Sequence, residues 1–115
     1  MKVKIGLSGK KIVVNTKKLS SFGKFIGLMF KSKECGNLLF DFKEGGRGPI
    51  HSFFVFFDFL AVWLDEKDNV VDYKIVKPFC FSVNSKKDFV RLIEIPLNDK
   101  NKNLIFRFPS MHGKV

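Results

Sequence analysis

One apolar stretch, residues 50–65, limits what this chain can fold into. From residue 53 to residue 64 the side chains are almost all apolar, and Asp58 is the single charged one. A strand with one wet face alternates apolar and polar residues, so a run that is apolar on both faces predicts a central strand covered from two sides. The run is shorter than the ~20 apolar residues of a membrane-spanning helix and longer than a usual strand of about 5–6 residues. We therefore expect no membrane span, and a bend near Asp58 that divides the stretch into two strand segments.

The remaining segments predict further strands around this centre. Apolar residues alternate with lysines in residues 1–7, and residues 11–16 follow as a second strand after a Ser-Gly turn, which predicts an opening hairpin. One helix is expected near residues 22–29, where apolar side chains recur at helical spacing: Phe22, Phe25, Ile26 and Met29. Further strands are predicted at residues 38–42, 70–76, 89–95 and 103–108. Short strands at this spacing with one short helix predict an all-β fold, mostly an antiparallel barrel or sandwich.

The size and charge of the chain set the domain count and the classes of partner. A chain of 115 residues is expected to form one domain, residues 1–115, with a core of its own. A net charge of +10 suits nucleic acid or an acidic membrane surface, or it serves only to keep the protein in solution. Only three of the 21 basic residues are arginines, the residue type suited to bidentate recognition of bases and phosphates, and the lysines are scattered along the chain. A solvated lysine surface is therefore favoured over nucleic-acid binding, which remains an alternative.

The cysteines and the first residues bear on cofactors and location. Cys35 and Cys80 are far apart in sequence, and the chain has neither a CxxC pair nor the spacing of zinc ligands. We expect two reduced cysteines, no metal site and no cofactor. The first residues, MKVKIGLSGKKIVV, lack the apolar stretch of a signal peptide, which predicts a cytoplasmic protein.

Six short motifs follow one another along the chain: GLMFK at 27–31, LLFDF at 38–42, IHSFFV at 50–55, VWLD at 62–65, KPF at 77–79 and VRLIEIP at 90–96. In this order, over roughly residues 19–97, they resemble the DUF192 family of small, mostly β proteins of unknown function. Where many members of that family have an M-R-F-P-I-D run, this chain has Val55, Phe56, Asp58 and Leu60. The resemblance therefore implies the β fold, but no charged site built on the arginine and aspartate of that run.

A candidate binding site lies where the apolar stretch begins. His51 is the family-like residue of a type that titrates near neutral pH. It follows a glycine-rich loop that contains Arg47, and we expect these two residues to form a pocket rim with Ser52, Lys77 and Asp58. The alternative is a histidine whose polar atoms are satisfied by a hydrogen bond at a strand end, without a further role.

No catalytic constellation accompanies this rim. The sequence has no Gly-x-Ser-x-Gly elbow, no HExxH and no Ser-His-Asp order. We therefore predict a non-catalytic β domain that binds a small anionic or apolar ligand, or a partner. Nucleic-acid binding through the lysine excess is the second hypothesis, and a hydrolase that uses His51 with a carboxylate, Asp41 or Glu94, is the third.

Overall fold

The computed structural model describes residues 1–19, 31–42, 55–80 and 82–109. The strands are β1 (Lys2–Leu7), β2 (Lys10–Lys18), β3 (Asn37–Asp41), β4 (Phe59–Leu64), β5 (Val70–Val76) and β6 (Arg91–Pro96). A 3-10 helix (Asp99–Asn101) leads into one short α-helix, α1 (Lys102–Phe106). The predicted helix at residues 22–29 lies outside the described residues.

The six strands form one sheet in the order β1-β2-β3-β6-β4-β5, and each neighbouring pair is antiparallel except β2 with β3. The sheet curls until β1 approaches the β4–β5 loop, where Gly6 forms a bridge with Asn69 and its N–H donates to the carbonyl of Asp68 at 2.9 Å. The result is a half-barrel, which confirms the prediction of an all-β fold with a short helix. No helix among the described residues is long and apolar enough to cross a bilayer.

Strand β4 is an interior strand of the sheet. It lies between β6 and β5, and all six of its residues are buried. Leu60, Val62 and Leu64 belong to an inner core shared with β1, β2 and α1. The alternate residues belong to an outer core on the other face of the sheet: Phe59, Ala61 and Trp63. The predicted two-sided burial of the apolar stretch is therefore confirmed for β4.

The segment before β4 differs from its prediction. Residues 55–58 precede β4 outside the ladder, with a bend at Phe57, so the first of the two predicted strand segments is wrong over residues 55–57. The physical reason is that the chain leaves the sheet here and covers it: Val55 and Phe57 are buried in the outer core. Residues 53 and 54 lie outside the described part of the chain.

The segment after β6 also differs from its prediction, since residues 102–106 are helical and not part of a last strand. Buried asparagines fix this turn. The side chain of Asn98 accepts a hydrogen bond from the Asn101 N–H at 2.9 Å, and the Asn101 side chain donates to the carbonyl of Pro96 at 2.8 Å. Ile105 and Phe108, three residues apart, then both reach the inner core, a spacing that suits a helical turn better than a strand.

The loop between β4 and β5 is shaped by Asp65. Its Oδ1 accepts the N–H groups of Asn69 and Lys67, each at 2.9 Å. These bonds, that of Asn69 first, lower the pKa of Asp65 because they favour the ionised carboxylate. The loop so formed presents Asp68 and Asn69 to β1.

Gly6 is required where this loop meets β1. A Cβ added at Gly6 would lie 2.3 Å from Oδ1 of Asn69, whereas one added at Gly36 would have no neighbour within 4 Å. We expect Gly6→Ala to lower the free energy of unfolding by about 1–2 kcal/mol, because the Asn69 side chain, which also bonds to Asp65, must turn aside. Gly36→Ala is the control and should change it by less than about 1 kcal/mol. Urea denaturation of both variants measures this, and equal losses would contradict the contact as described.

Candidate functional site

Two of the five predicted rim residues lie together in the structure. The Lys77 Nζ atom is 2.6 Å from Oδ2 of Asp58, so the two side chains form a hydrogen-bonded ion pair. Lys77 is largely exposed and Asp58 is about one-quarter exposed. His51, Arg47 and Ser52 lie outside the described residues, so their place at this rim stays a prediction, as does the hydrolase hypothesis that depends on His51.

The β4–β5 hairpin explains why this pair forms. The ladder ends with Phe59 opposite Val76. The same register carried outward places Asp58 opposite Lys77, and then Phe56 opposite Phe79. The side chains meet in both cases: the Phe56 and Phe79 rings are 5.4 Å apart between centroids, in an edge-to-face arrangement at 74°. We call these four residues the aromatic–ion patch: Phe56, Asp58, Lys77 and Phe79.

The two phenylalanines of the patch are unusual for this protein because they face solvent. Phe56 is 61% exposed and Phe79 is 48% exposed, although most other side chains of the apolar stretch from residue 55 onward are buried. Phe79 also has φ = 61°, in the left-handed region that bulky residues rarely adopt. Such a conformation costs about 1–3 kcal/mol and persists only where the surroundings enforce it, which is commonest at functional sites.

A backbone hydrogen bond connects the aromatic–ion patch to the end of β6. The carbonyl of Asp58 accepts a hydrogen bond from the N–H of Leu97 at 3.0 Å, just beyond the end of β6. The patch is thus supported by the start of β4, the end of β5 and the end of β6. A binding site on such strand ends is positioned more precisely than one on a free loop.

A second polar feature, Glu94, lies under the outer core. In the sheet it has Leu38 of β3 on one side and Ala61 of β4 on the other. Only 5% of it is exposed, and burial raises the pKa of its carboxyl to about 8. Among the described residues, no side chain forms a hydrogen bond or ion pair with it. Glu94 is therefore mostly protonated at neutral pH.

Cys35 is close enough to Glu94 to sense its charge. Burial raises the pKa of the Cys35 thiol, the positive charge of Lys31 lowers it, and Glu94 contributes a small further rise. A thiol whose pKa is raised has less of the nucleophilic thiolate at neutral pH, so Cys35 is poorly suited to nucleophilic catalysis. Both cysteines of the chain are free thiols.

Asp41, the other predicted carboxylate partner of His51, forms an ion pair with Arg91. The Arg91 Nε atom is 3.5 Å from Oδ2 of Asp41, and the Arg91 Nη1 atom is 2.6 Å from Oδ1 of Asp68. Through these two ion pairs Arg91, whose side chain is mostly buried, links the end of β3 to the β4–β5 loop. Within the described ranges, no group of three or more histidine, cysteine, aspartate or glutamate side chains could hold a metal ion.

Comparison with known proteins gives likenesses of fold. No family model matches the chain, and no curated protein matches it. It is similar to a crystal structure of a protein of unknown function from Novosphingobium aromaticivorans DSM 12444, with a TM-score of 0.72 and 14% identity over 90% of this chain and 76% of that one. It is also similar to a "putative transcription regulator" from Sinorhizobium meliloti 1021, with a TM-score of 0.68 and 15% identity over 88% and 81% of the two chains. At these identities the likeness establishes a shared fold alone.

Proposed function

We propose that this chain is a non-catalytic β domain of the DUF192 type, and that it binds a small ligand at the aromatic–ion patch. The observation that carries the proposal is Phe79. A bulky residue in a left-handed conformation presents a half-exposed ring against another exposed ring, two residues from an ion pair. Strain and exposed apolar surface both cost free energy, and a ligand that covers the rings would offset that cost.

The patch favours an amphiphilic anion. The two phenylalanine rings supply apolar surface, and the Lys77 ammonium supplies a positive charge beside them. Asp58 positions that ammonium and is itself accessible to solvent only in part. A small carboxylate with a flat or branched apolar body would contact the rings and the ammonium together. This class joins the two ligand chemistries that the sequence predicts, anionic and apolar, in one molecule.

The composition of the patch supports binding more than catalysis. Its two ionisable side chains are already paired with each other, and the remaining two are hydrocarbons. A surface ion pair of this kind contributes only about 0–1 kcal/mol to stability. Its loss should therefore leave the fold intact, so that any loss of binding can be assigned to the site.

A fragment screen followed by NMR tests the proposal. We expect aromatic and branched aliphatic carboxylates to shift the amide signals of residues 56–58 and 77–79 in a saturable manner. Phe56→Ala and Lys77→Gln should each weaken binding of the best fragment about tenfold, because each removes one of the two contacts (about 1.4 kcal/mol).

The matched control is Lys86→Gln, which removes an exposed lysine outside the patch. This variant should bind as the unmodified protein does. Signal changes confined to another surface, or equal binding by Lys77→Gln and Lys86→Gln, would refute the proposed site.

A further inference from the structure

The net positive charge of this protein is concentrated in its first 33 residues. Residues 1–33 contain nine lysines and neither aspartate nor glutamate, so they carry nine of the ten net positive charges. Glu34 is the first acidic residue of the chain. Nine of the 18 lysines thus lie in a segment without acidic residues, and the other nine are interspersed with them.

The β1–β2 hairpin gathers four of these lysines on one face. Its register places Lys2 opposite Asn15, Lys4 opposite Val13 and Gly6 opposite Lys11, and residues directly opposite each other project from the same face. Lys17 continues that face two residues beyond Asn15. The intervening residues of both strands are buried in the inner core, so this face is exposed to solvent. We call it the lysine face: Lys2, Lys4, Lys11 and Lys17.

The charges of the lysine face are not neutralised within the described part of the chain. None of its four lysines forms an ion pair there, whereas Lys18, on the opposite face of β2, is 4.0 Å from Asp41. Lys4 and Lys11 are diagonal neighbours on this face, within reach of each other, and their like charges repel. A binding partner of opposite charge would relieve this repulsion.

We propose that the lysine face binds the phosphate backbone of double-stranded nucleic acid without reading its sequence. Alternate residues of a strand are about 6.7 Å apart, which matches about two steps of 3.4 Å along the axis of a duplex, where each strand carries one phosphate per step. Lysine supplies a point charge to a phosphate, whereas base recognition favours arginine, which this face lacks. The face has no aromatic residue on which a single-stranded base could stack.

The chemistry of the face argues for nucleic acid over a lipid surface. Peripheral membrane binding by a charged surface is strengthened by apolar and aromatic residues that enter the lipid. The lysine face has one exposed apolar residue, Val13, in the middle of its strand. The aromatic–ion patch is formed by the other hairpin, β4–β5, so the two proposed sites are independent.

Fluorescence anisotropy with a 20-base-pair DNA duplex, from 50 to 200 mM salt, tests the proposal. Four phosphate contacts give a slope of log K against log salt of about −3.6, which corresponds to about a hundredfold loss of affinity over that range. The double variant Lys4→Gln/Lys11→Gln should lower the magnitude of the slope by about 2 and weaken binding at 50 mM salt. Lys86→Gln/Lys87→Gln removes the same charge elsewhere and should keep the slope.

Three outcomes would overturn the proposal. The first is no binding to the duplex at 50 mM salt. The second is an equal effect of the two double variants, which would assign the binding to net charge alone. The third is stronger binding to phosphatidylserine vesicles than to the duplex, with loss in Lys4→Gln/Lys11→Gln, which would assign the face to lipid. Thermal melting of both variants verifies that they are folded.

Discussion

Glu94→Gln will make the protein more stable at pH 8 while leaving its stability near pH 4.5 almost unchanged. The carboxyl of Glu94 has a pKa of about 8 in the folded protein, raised by burial from an ordinary value of 4.5. Between these pH values the folded state holds a proton that the unfolded state has released. The contribution of the protonated group to stability is therefore complete below pH 4.5 and is lost as the pH rises toward 8, at up to about 1.4 kcal/mol per pH unit.

The expected size of the effect follows from that slope. The loss amounts to about 4 kcal/mol by pH 8, which is a large part of the 5–15 kcal/mol by which small domains are usually stable. A glutamine is neutral at every pH, so Glu94→Gln should remove this loss. The measurement is urea denaturation between pH 4.5 and 8.5 for both proteins, with Glu34→Gln as the control at an exposed position.

One result would contradict the Glu94 prediction. If the unmodified protein and Glu94→Gln show the same dependence of unfolding free energy on pH, then Glu94 is not held protonated in the fold. The thiol of Cys35 does not confuse the comparison, because it is present in both proteins.

Truncating β4 on either face will be costly. Trp63 is fully buried in the outer core, where its ring is 6.3 Å from that of Phe89, and Leu60 is fully buried in the inner core. We expect Trp63→Ala to lower the free energy of unfolding by about 3–5 kcal/mol and Leu60→Ala by about 2–5 kcal/mol, through lost contacts and the cavities left behind. A strand with one solvent-exposed face would suffer a large loss from only one of these substitutions.

Val13→Ala is the matched control for these truncations, since Val13 lies in a strand but is about half exposed. It should change the free energy of unfolding by about 0.5 kcal/mol or less. Circular dichroism during urea denaturation measures all three variants. A small change in the free energy of unfolding for either β4 substitution would show that the face carrying that residue is not buried. Where a β4 variant is too unstable to purify, Trp63→Phe and Leu60→Val give the same comparison with smaller losses.

The strand β4 could be predicted from sequence because a strand that is buried on both faces consists almost entirely of apolar residues. The boundary of the strand could not, since residues 55–57 are as apolar as β4 itself. These residues are buried outside the sheet, where they cover the outer core. Composition shows that a residue is buried but does not show whether it is buried in the sheet or over it.

The helix α1 was missed for a related reason. Residues 103–108 alternate well enough for a strand, and short apolar segments are ambiguous between the two structures. The turn that precedes the helix decides the matter. It depends on bonds to distant parts of the chain, since the Asn98 side chain donates to the carbonyl of Lys33 and the Asn101 side chain donates to Oδ1 of Asn37. Such long-range bonds leave no local pattern.

The candidate site could be predicted only in part. Asp58 and Lys77 belong to the predicted rim, and the structure brings them together. Phe56 and Phe79 were missed because phenylalanines in an apolar run are expected in a core. The register of the β4–β5 hairpin would have shown them. Extended outward, it pairs Asp58 with Lys77 and Phe56 with Phe79, which places an aromatic pair beside an ion pair.

The burial of Glu94 and the gathering of the lysines depend on pairing between strands. In β6, Arg91 and Glu94 lie on opposite faces because successive side chains of a strand alternate, but the sequence does not tell which face is covered. Glu94 lies on the same face as Leu92, which is fully buried in the outer core. The lysine face likewise needs the β1–β2 register, which the sequence indicates only as a hairpin.

Amide hydrogen exchange measured residue by residue tests the central claim most directly, namely that β4 is an interior strand of a curled sheet, buried on both faces. We predict that the amides of Phe59–Leu64 exchange only through global unfolding, with protection equal to the free energy of unfolding from urea denaturation. Exchange of these amides as fast as that of the loop residues 65–69 would contradict it.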